Sequence, residues 1–202
     1  MTITYEVGNS LYINITNRCS NSCHFCIRNI SDGVGSATSL WLEQEPTIKE
    51  VIEDIQRWDV ASYKEFVFCG YGEPMMRAYD IIEICKELKA IYSIPIRINT
   101  NGQASLICGK DITPLLEGLV DAVSISMNAR DKQAYQTICR SKYGDKAFAA
   151  MLDFAEKCKK HISKVTLTVV NVISAEDIQY CEEIAQRIGA DFRVRYYLKQ
   201  PS

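Results

Sequence analysis

Apolar and polar positions divide the chain into short apolar runs separated by stretches with helical spacing. Leu11-Tyr-Ile-Asn-Ile-Thr16 reads as a first strand. Residues 27–46, with Gly33, Gly35 and Pro46, read as a long irregular loop. Ile48, Val51, Ile52, Ile55 and Trp58 then predict a helix from about Thr47. Glu65-Phe-Val-Phe-Cys69 is a second strand, and Ile81, Ile82, Ile84, Cys85, Leu88 and Ile91 mark a second helix. Pro95–Thr100 is a third strand, ended by the turn signal Asn101-Gly102. A short helix over Thr113–Gly118 precedes a fourth strand, Ala122–Met127, and helices follow around 131–139 and 145–160. Lys164–Val170, Ala175–Ile188 and Phe192–Leu198 complete the series as strand, helix and strand.

Strands alternating with helices imply a parallel sheet with helices packed outside it. A closed (β/α)8 barrel typically takes roughly 250 residues, and this chain has 202. The expected fold is therefore α/β, a partial (β/α)6 TIM-type barrel, with residues 1–202 as a single domain. In such a fold the active edge lies at the strand C-termini, where the polar motifs fall.

Composition narrows the function classes. Apolar residues make up 47% and charged residues 24%, as in an ordinary globular chain. A formal charge of −2 without a long basic run gives no support for a large nucleic-acid-binding face. No apolar stretch approaches the roughly 20 residues of a membrane helix. Met1-Thr-Ile-Thr-Tyr-Glu-Val has neither a basic nor an apolar leader region, so the expected location is cytoplasmic. Nine cysteines in a reducing compartment point to metal or redox chemistry rather than disulfides.

Three of the nine crowd into Cys19-Ser-Asn-Ser-Cys23-His-Phe-Cys26, just after the first strand. Three thiolates on one tight loop would hold three irons of a cluster and leave the fourth open to a small molecule. Zinc is the competing reading, with His24 as a fourth ligand, but a structural zinc site usually draws on two separated ligand pairs. Coincidence in a cysteine-rich chain is the other. Most of Cys69, Cys85, Cys108, Cys139, Cys158 and Cys181 read as small buried hydrophobes, and no second tight group suggests an auxiliary cluster.

Gly70-Tyr-Gly-Glu-Pro74 ends the second strand. Gly70 and Gly72 would let backbone carbonyls approach a ligand, and Glu73 could accept from a cationic amine. A plain Gly/Pro turn is the bland alternative. Asn99-Thr-Asn-Gly102 ends the third strand, with an ordinary Asn-Gly turn equally plausible for Asn101. Ser124, Ser126 and Asn128 share one face by strand alternation, as do Arg193 and Arg195. An arginine such as Arg195 could take a carboxylate, or simply form a surface salt bridge.

The triplet with Phe25 at its aromatic position resembles the radical S-adenosylmethionine (SAM) superfamily, whose signature is C-x-x-x-C-x-aromatic-C. Gly70–Pro74 resembles its second motif. The resemblance implies a [4Fe–4S] cluster on Cys19, Cys23 and Cys26, which are both metal ligands and the catalytic centre. SAM would chelate the open iron and, after one-electron cleavage, give methionine and a 5′-deoxyadenosyl radical that abstracts a substrate hydrogen. It further implies that Phe25, Gly70, Gly72, Glu73, Asn99, Asn101, Ser126, Asn128 and Arg195 serve SAM binding, and that a donor such as flavodoxin or ferredoxin supplies the electron. Asn14–Cys19, His24–Arg28, Phe68–Pro74 and Arg97–Gly102 look most like the TatD-associated radical SAM proteins, a likeness that names no substrate. Glycyl-radical activating enzymes, 7-carboxy-7-deazaguanine synthase and a non-catalytic iron–sulfur or zinc sensor remain alternatives, so the substrate stays open between small molecule and polypeptide.

Overall fold

A computed structural model describes residues 1–197. Its sheet has seven strands in sequence order: β1 (Thr4–Val7), β2 (Ser10–Ile13), β3 (Glu65–Phe68), β4 (Ile96–Thr100), β5 (Ala122–Ser126), β6 (Lys164–Val170) and β7 (Asp191–Arg195). β1 and β2 form an antiparallel hairpin, and every later neighbour is parallel. Among the described residues β7 does not pair back to β1, so the sheet is an open trough. This is the partial barrel expected, with β1 added to its edge. The predicted end of the last strand at Leu198 lies outside the described residues.

The added strand is capped rather than left bare. Ser36 N donates to Glu6 O at 3.0 Å, and Glu6 N donates to Ser36 Oγ at 2.8 Å. The long loop thereby covers the sheet edge, which would otherwise offer unpaired backbone to another chain.

The helices are α1 (Ile48–Ile55), α2 (Ala78–Ile91), α3 (Ala104–Cys108), α4 (Lys132–Cys139), α5 (Lys146–His161) and α6 (Ala175–Ile188). Their starts follow the capping chemistry in the sequence. Thr47 and Glu50 form a capping box on α1, while Asp131 and Ser174 cap α4 and α6. The stretch expected to be helical over Thr113–Gly118 is a one-turn 3-10 helix, Thr113–Leu116, and α3 is additional.

Strand alternation then sorts the two faces. Leu11, Ile13, Phe66, Phe68, Ile96, Ile98, Val123, Ile125, Val165 and Leu167 are buried in one core beneath the helices. Their alternates, including Glu65, Arg97, Asn99, Ser124, Ser126, Thr168, Arg193 and Arg195, therefore line the inside of the trough. The apolar face builds the fold, and the polar face is left for chemistry.

Candidate active site

The cysteine loop begins where the chain leaves β2. The Asn14 amide donates to Leu40 O at 2.8 Å and Thr2 O at 3.2 Å, while Arg18 forks onto Glu45 at 2.7 and 2.8 Å. From here the residues between the cysteines are spent on docking. Ser20 Oγ accepts from the Asn101 amide at 2.8 Å, and Ser20 O accepts from Lys142 N at 2.9 Å. Asn21 donates to the Tyr135 hydroxyl at 3.0 Å and accepts from the Gln103 amide at 2.8 Å. Ser22 N and His24 N donate to the carbonyls of Cys139 and Ile138, at 3.0 and 3.4 Å. The loop is thus fastened to the end of β4 and to α4; its three thiols are partly buried, with Cys19 Sγ accepting from Asn21 N at 3.4 Å and Cys23 set against Cys139 of α4.

The thiols sense one another and their surroundings. Burial, then the Glu73 carboxylate, pushes Cys19 up to about 12. Burial also raises Cys26. Cys23 is raised first by a hydrogen bond with Cys139 and then by burial. All three are neutral thiols without a metal, so binding iron must release their protons. Cys139, outwardly one of the small buried fillers, in fact packs beside Cys23. Cys85, Cys158 and Cys181 are plain buried core residues.

Three thiols on a docked loop fit a cluster with one iron open. Among the described residues no three His, Cys, Asp or Glu side chains are already gathered around a single-ion site. The exposed His24 ring lies with Nδ1 3.2 Å from Ile138 O, and a carbonyl only accepts, so that nitrogen carries the proton and Nε2 keeps its lone pair.

The Gly-Tyr-Gly-Glu-Pro turn runs against the cysteine loop. A side chain on Gly72 would put Cβ 2.2 Å from Thr16 O and 2.6 Å from Arg18 O, and one on Gly70 would meet Asn14 Oδ1 at 2.0 Å. The glycines therefore let this turn pass close to the chain's own β2 exit. Glu73 is buried and ties two strand ends together. Its Oε1 accepts from Thr100 Oγ1 at 2.7 Å and Met75 N at 3.0 Å, and its Oε2 accepts from Asn101 N at 2.6 Å. Burial outweighs these bonds and raises its carboxyl to about 7.

The remaining expected residues fall into two groups. Asn101 and Asn128 are buried and largely committed. Asn101 bonds Ser20 and accepts from Gln103 N, while Asn128 Oδ1 accepts from Val170 N at 3.2 Å, its backbone held at φ 57°. Asn99, Ser126 and Arg195 face the trough instead. Asn99 accepts from Arg97 at 2.6 Å, and Arg195 donates to Ser126 Oγ at 3.0 Å. Crowding at the strand ends lowers the Arg195 guanidinium although the residue stays open to solvent, and the Cys69 and Cys23 thiols act against that shift. Phe25 stands edge-on to His24, with ring centroids 5.5 Å apart.

Sequence reading passes over Gln103, Tyr135 and Ser141. Gln103 is fully buried, donating to Asn21 and Tyr135 at 2.8 Å each and accepting from Ser141 Oγ at 2.9 Å. Nothing local marks Gln103. Tyr135 and Cys139 carry a faint signal, being four residues apart on one helical face.

This is an open parallel trough with a thiol-bearing loop at its catalytic edge, the class of partial-barrel enzyme. Residues 13–188 match the Radical SAM superfamily, and the chain belongs to it. The superfamily's cofactors, a [4Fe–4S] cluster and SAM, are accordingly those of this chain. The chain is 30% identical over 197 residues to a protein named probable GTP 3′,8-cyclase from Methanothermobacter marburgensis, covering 96% of this chain and 59% of that protein. A second protein of that name, from Methanothermobacter thermautotrophicus, is 23% identical with the same coverage. The chain thus spans about three-fifths of the length of these relatives. In fold it resembles Streptococcus suis SuiB, with a TM-score of 0.67 at 18% identity over 95% of this chain and 40% of that one. It also resembles anSMEcpe with bound AdoMet and a peptide, with a TM-score of 0.67 at 18% identity over 94% and 51%.

Proposed function

We propose that Cys19, Cys23 and Cys26 bind the cluster and that the chain is a SAM-cleaving enzyme acting on a substrate in the trough. The observation that carries this reading is the division of labour in the cysteine loop: Ser20, Asn21, Ser22 and His24 dock it by hydrogen bonds, and of the three thiols only Cys23 packs against another element among the described residues, at Cys139. When bound, the reduced cluster supplies the electron that splits SAM into methionine and a 5′-deoxyadenosyl radical.

The chain's own residues position and exclude. Gly70 and Gly72 bring backbone against the β2 exit, and Glu73 locks the ends of β3 and β4 in register beside Cys19. Asn101 and Asn128 shape the rim through bonds already made, whereas Asn99, Ser126 and Arg195 turn polar groups toward the trough for SAM. Arg195 suits the SAM carboxylate because it ends β7, at the same C-terminal edge of the parallel strands from which the cysteine loop leaves β2. Phe25, edge-on to His24, holds the aromatic position of the cysteine signature for SAM.

Metal analysis tests the reading. Anaerobically reconstituted protein is expected to hold about four irons and four sulfides, as a complete cluster requires. Stoichiometric zinc without sulfide would overturn it.

A further inference from the structure

Three arginines line the trough, and only one is neutralised. Arg97 reaches Glu65 through Nε at 3.0 Å and Nη2 at 2.9 Å, with Nη1 on Asn99. Among the described residues Arg193 and Arg195 meet no carboxylate. Each donates one bond to a serine, Arg193 to Ser124 Oγ at 3.3 Å and Arg195 to Ser126 Oγ at 3.0 Å. Both arginines sit on β7 and both serines on β5, so the side chains reach across β6. Two long, solvent-exposed cations are thereby ordered side by side, at a cost in rotamer entropy and mutual repulsion, with most of their donors left to water and none to a carboxylate. An anion would offset both.

SAM brings a single carboxylate. If Arg195, on the side of the cysteine loop, takes that group, Arg193 is left over. Arg193 lies two residues back along β7, one layer deeper in the trough. Ser124 is its partner there, and Ser124 is itself in register with Asn99 on β4. The paired Glu65 and Arg97 add no net charge here, and Asp191, on the same face of β7 two residues before Arg193, forms no ion pair with it among the described residues.

We infer that Arg193, supported by Ser124, is the subsite for an anionic group of the substrate, a carboxylate or a phosphate, held one layer below SAM. This rests on the reading of the chain as a SAM-cleaving enzyme. A guanidinium fork matches the paired oxygens of either anion, which a lysine meets only as a point charge.

The test uses the reconstituted holoprotein and two probes, inorganic pyrophosphate and succinate, titrated by calorimetry at fixed low salt with and without saturating SAM. At least one probe is expected to bind alongside SAM, and Arg193→Gln to weaken it tenfold or more. Arg193→Lys should recover part of the loss, while SAM affinity stays within twofold of wild type in both variants. Pyrophosphate binding alone identifies a phosphate-bearing substrate, and succinate binding alone a carboxylate. The subsite is overturned if neither anion binds, if Arg193→Gln binds like wild type, or if SAM displaces the anion competitively. Reductive SAM cleavage is scored separately on the same samples. Arg193-dependent anion binding in protein that cannot cleave SAM would sink the enzymatic reading and leave the subsite standing.

Discussion

Replacing Gln103 with methionine keeps the volume of this fully buried side chain and removes its polar groups. Three hydrogen bonds vanish, to Asn21, Tyr135 and Ser141. Tyr135 keeps its bond from Asn21 and Ser141 Oγ its bond from Tyr143 N, but Asn21 Oδ1 and the Ser141 hydroxyl hydrogen are left without partners. At about 1 kcal/mol for each lost bond, with more for the two stranded groups, the cost comes to ~4 kcal/mol. That is a large share of the ~5–15 kcal/mol that stabilises a typical domain. The variant should fold, with a looser cysteine loop. Urea unfolding of the cluster-free protein measures the first effect, and iron retained after reconstitution and gel filtration measures the second. A loss below ~1 kcal/mol, with iron equal to wild type, would show that the network does not hold the loop.

The other predictions concern single residues. Cys26→Ala should abolish iron binding while Cys85→Ala, in the core, leaves it intact; equal loss would mean that the division of the nine cysteines is wrong. Gly72→Ala drives Cβ onto two backbone carbonyls that cannot swing away and should cost more than ~3 kcal/mol in a urea titration, whereas Gly109→Ala, with open space around it, should cost only the ~1–2 kcal/mol of its left-handed backbone. Glu73 has its folded carboxyl raised from 4.5 to about 7 by burial, so the folded state holds the proton more tightly. Its contribution is therefore present in full below pH 4.5 and is lost as pH rises toward 7, by roughly 3 kcal/mol. Stability of Glu73→Gln followed over the same range should lack that slope, and a slope matching wild type would assign it to another group.

Much of the fold is readable in the chain because its apolar runs are short, bounded by Gly and Pro, and separated by helical spacing. α6 runs over Ala175–Ile188 as the pattern of Ile178, Cys181, Ile184 and Ala185 predicts. β1 escapes because four residues are too few for alternation to register, although Gly8-Asn9 between Val7 and Ser10 is a two-residue hairpin turn. In the site, the cysteine spacing and the Gly-Tyr-Gly-Glu-Pro turn are local patterns and stand out as such. What holds them is not local. Asn21 meets Gln103 and Tyr135 across 82 and 114 residues, and Cys23 meets Cys139 from a different element. No periodicity in one sequence records such pairs. Asn101 and Glu73 show the same limit: each stands in a motif, but only the structure shows their side chains bonded to the chain itself.

The most direct test of the central claim is a single-turnover assay for 5′-deoxyadenosine on anaerobically reconstituted protein given dithionite and SAM. With the wild-type chain 5′-deoxyadenosine and methionine should form together, and neither should form with Cys19→Ala, Cys23→Ala or Cys26→Ala. A wild-type protein that holds a complete, reducible cluster and binds SAM, yet yields no 5′-deoxyadenosine, would contradict it.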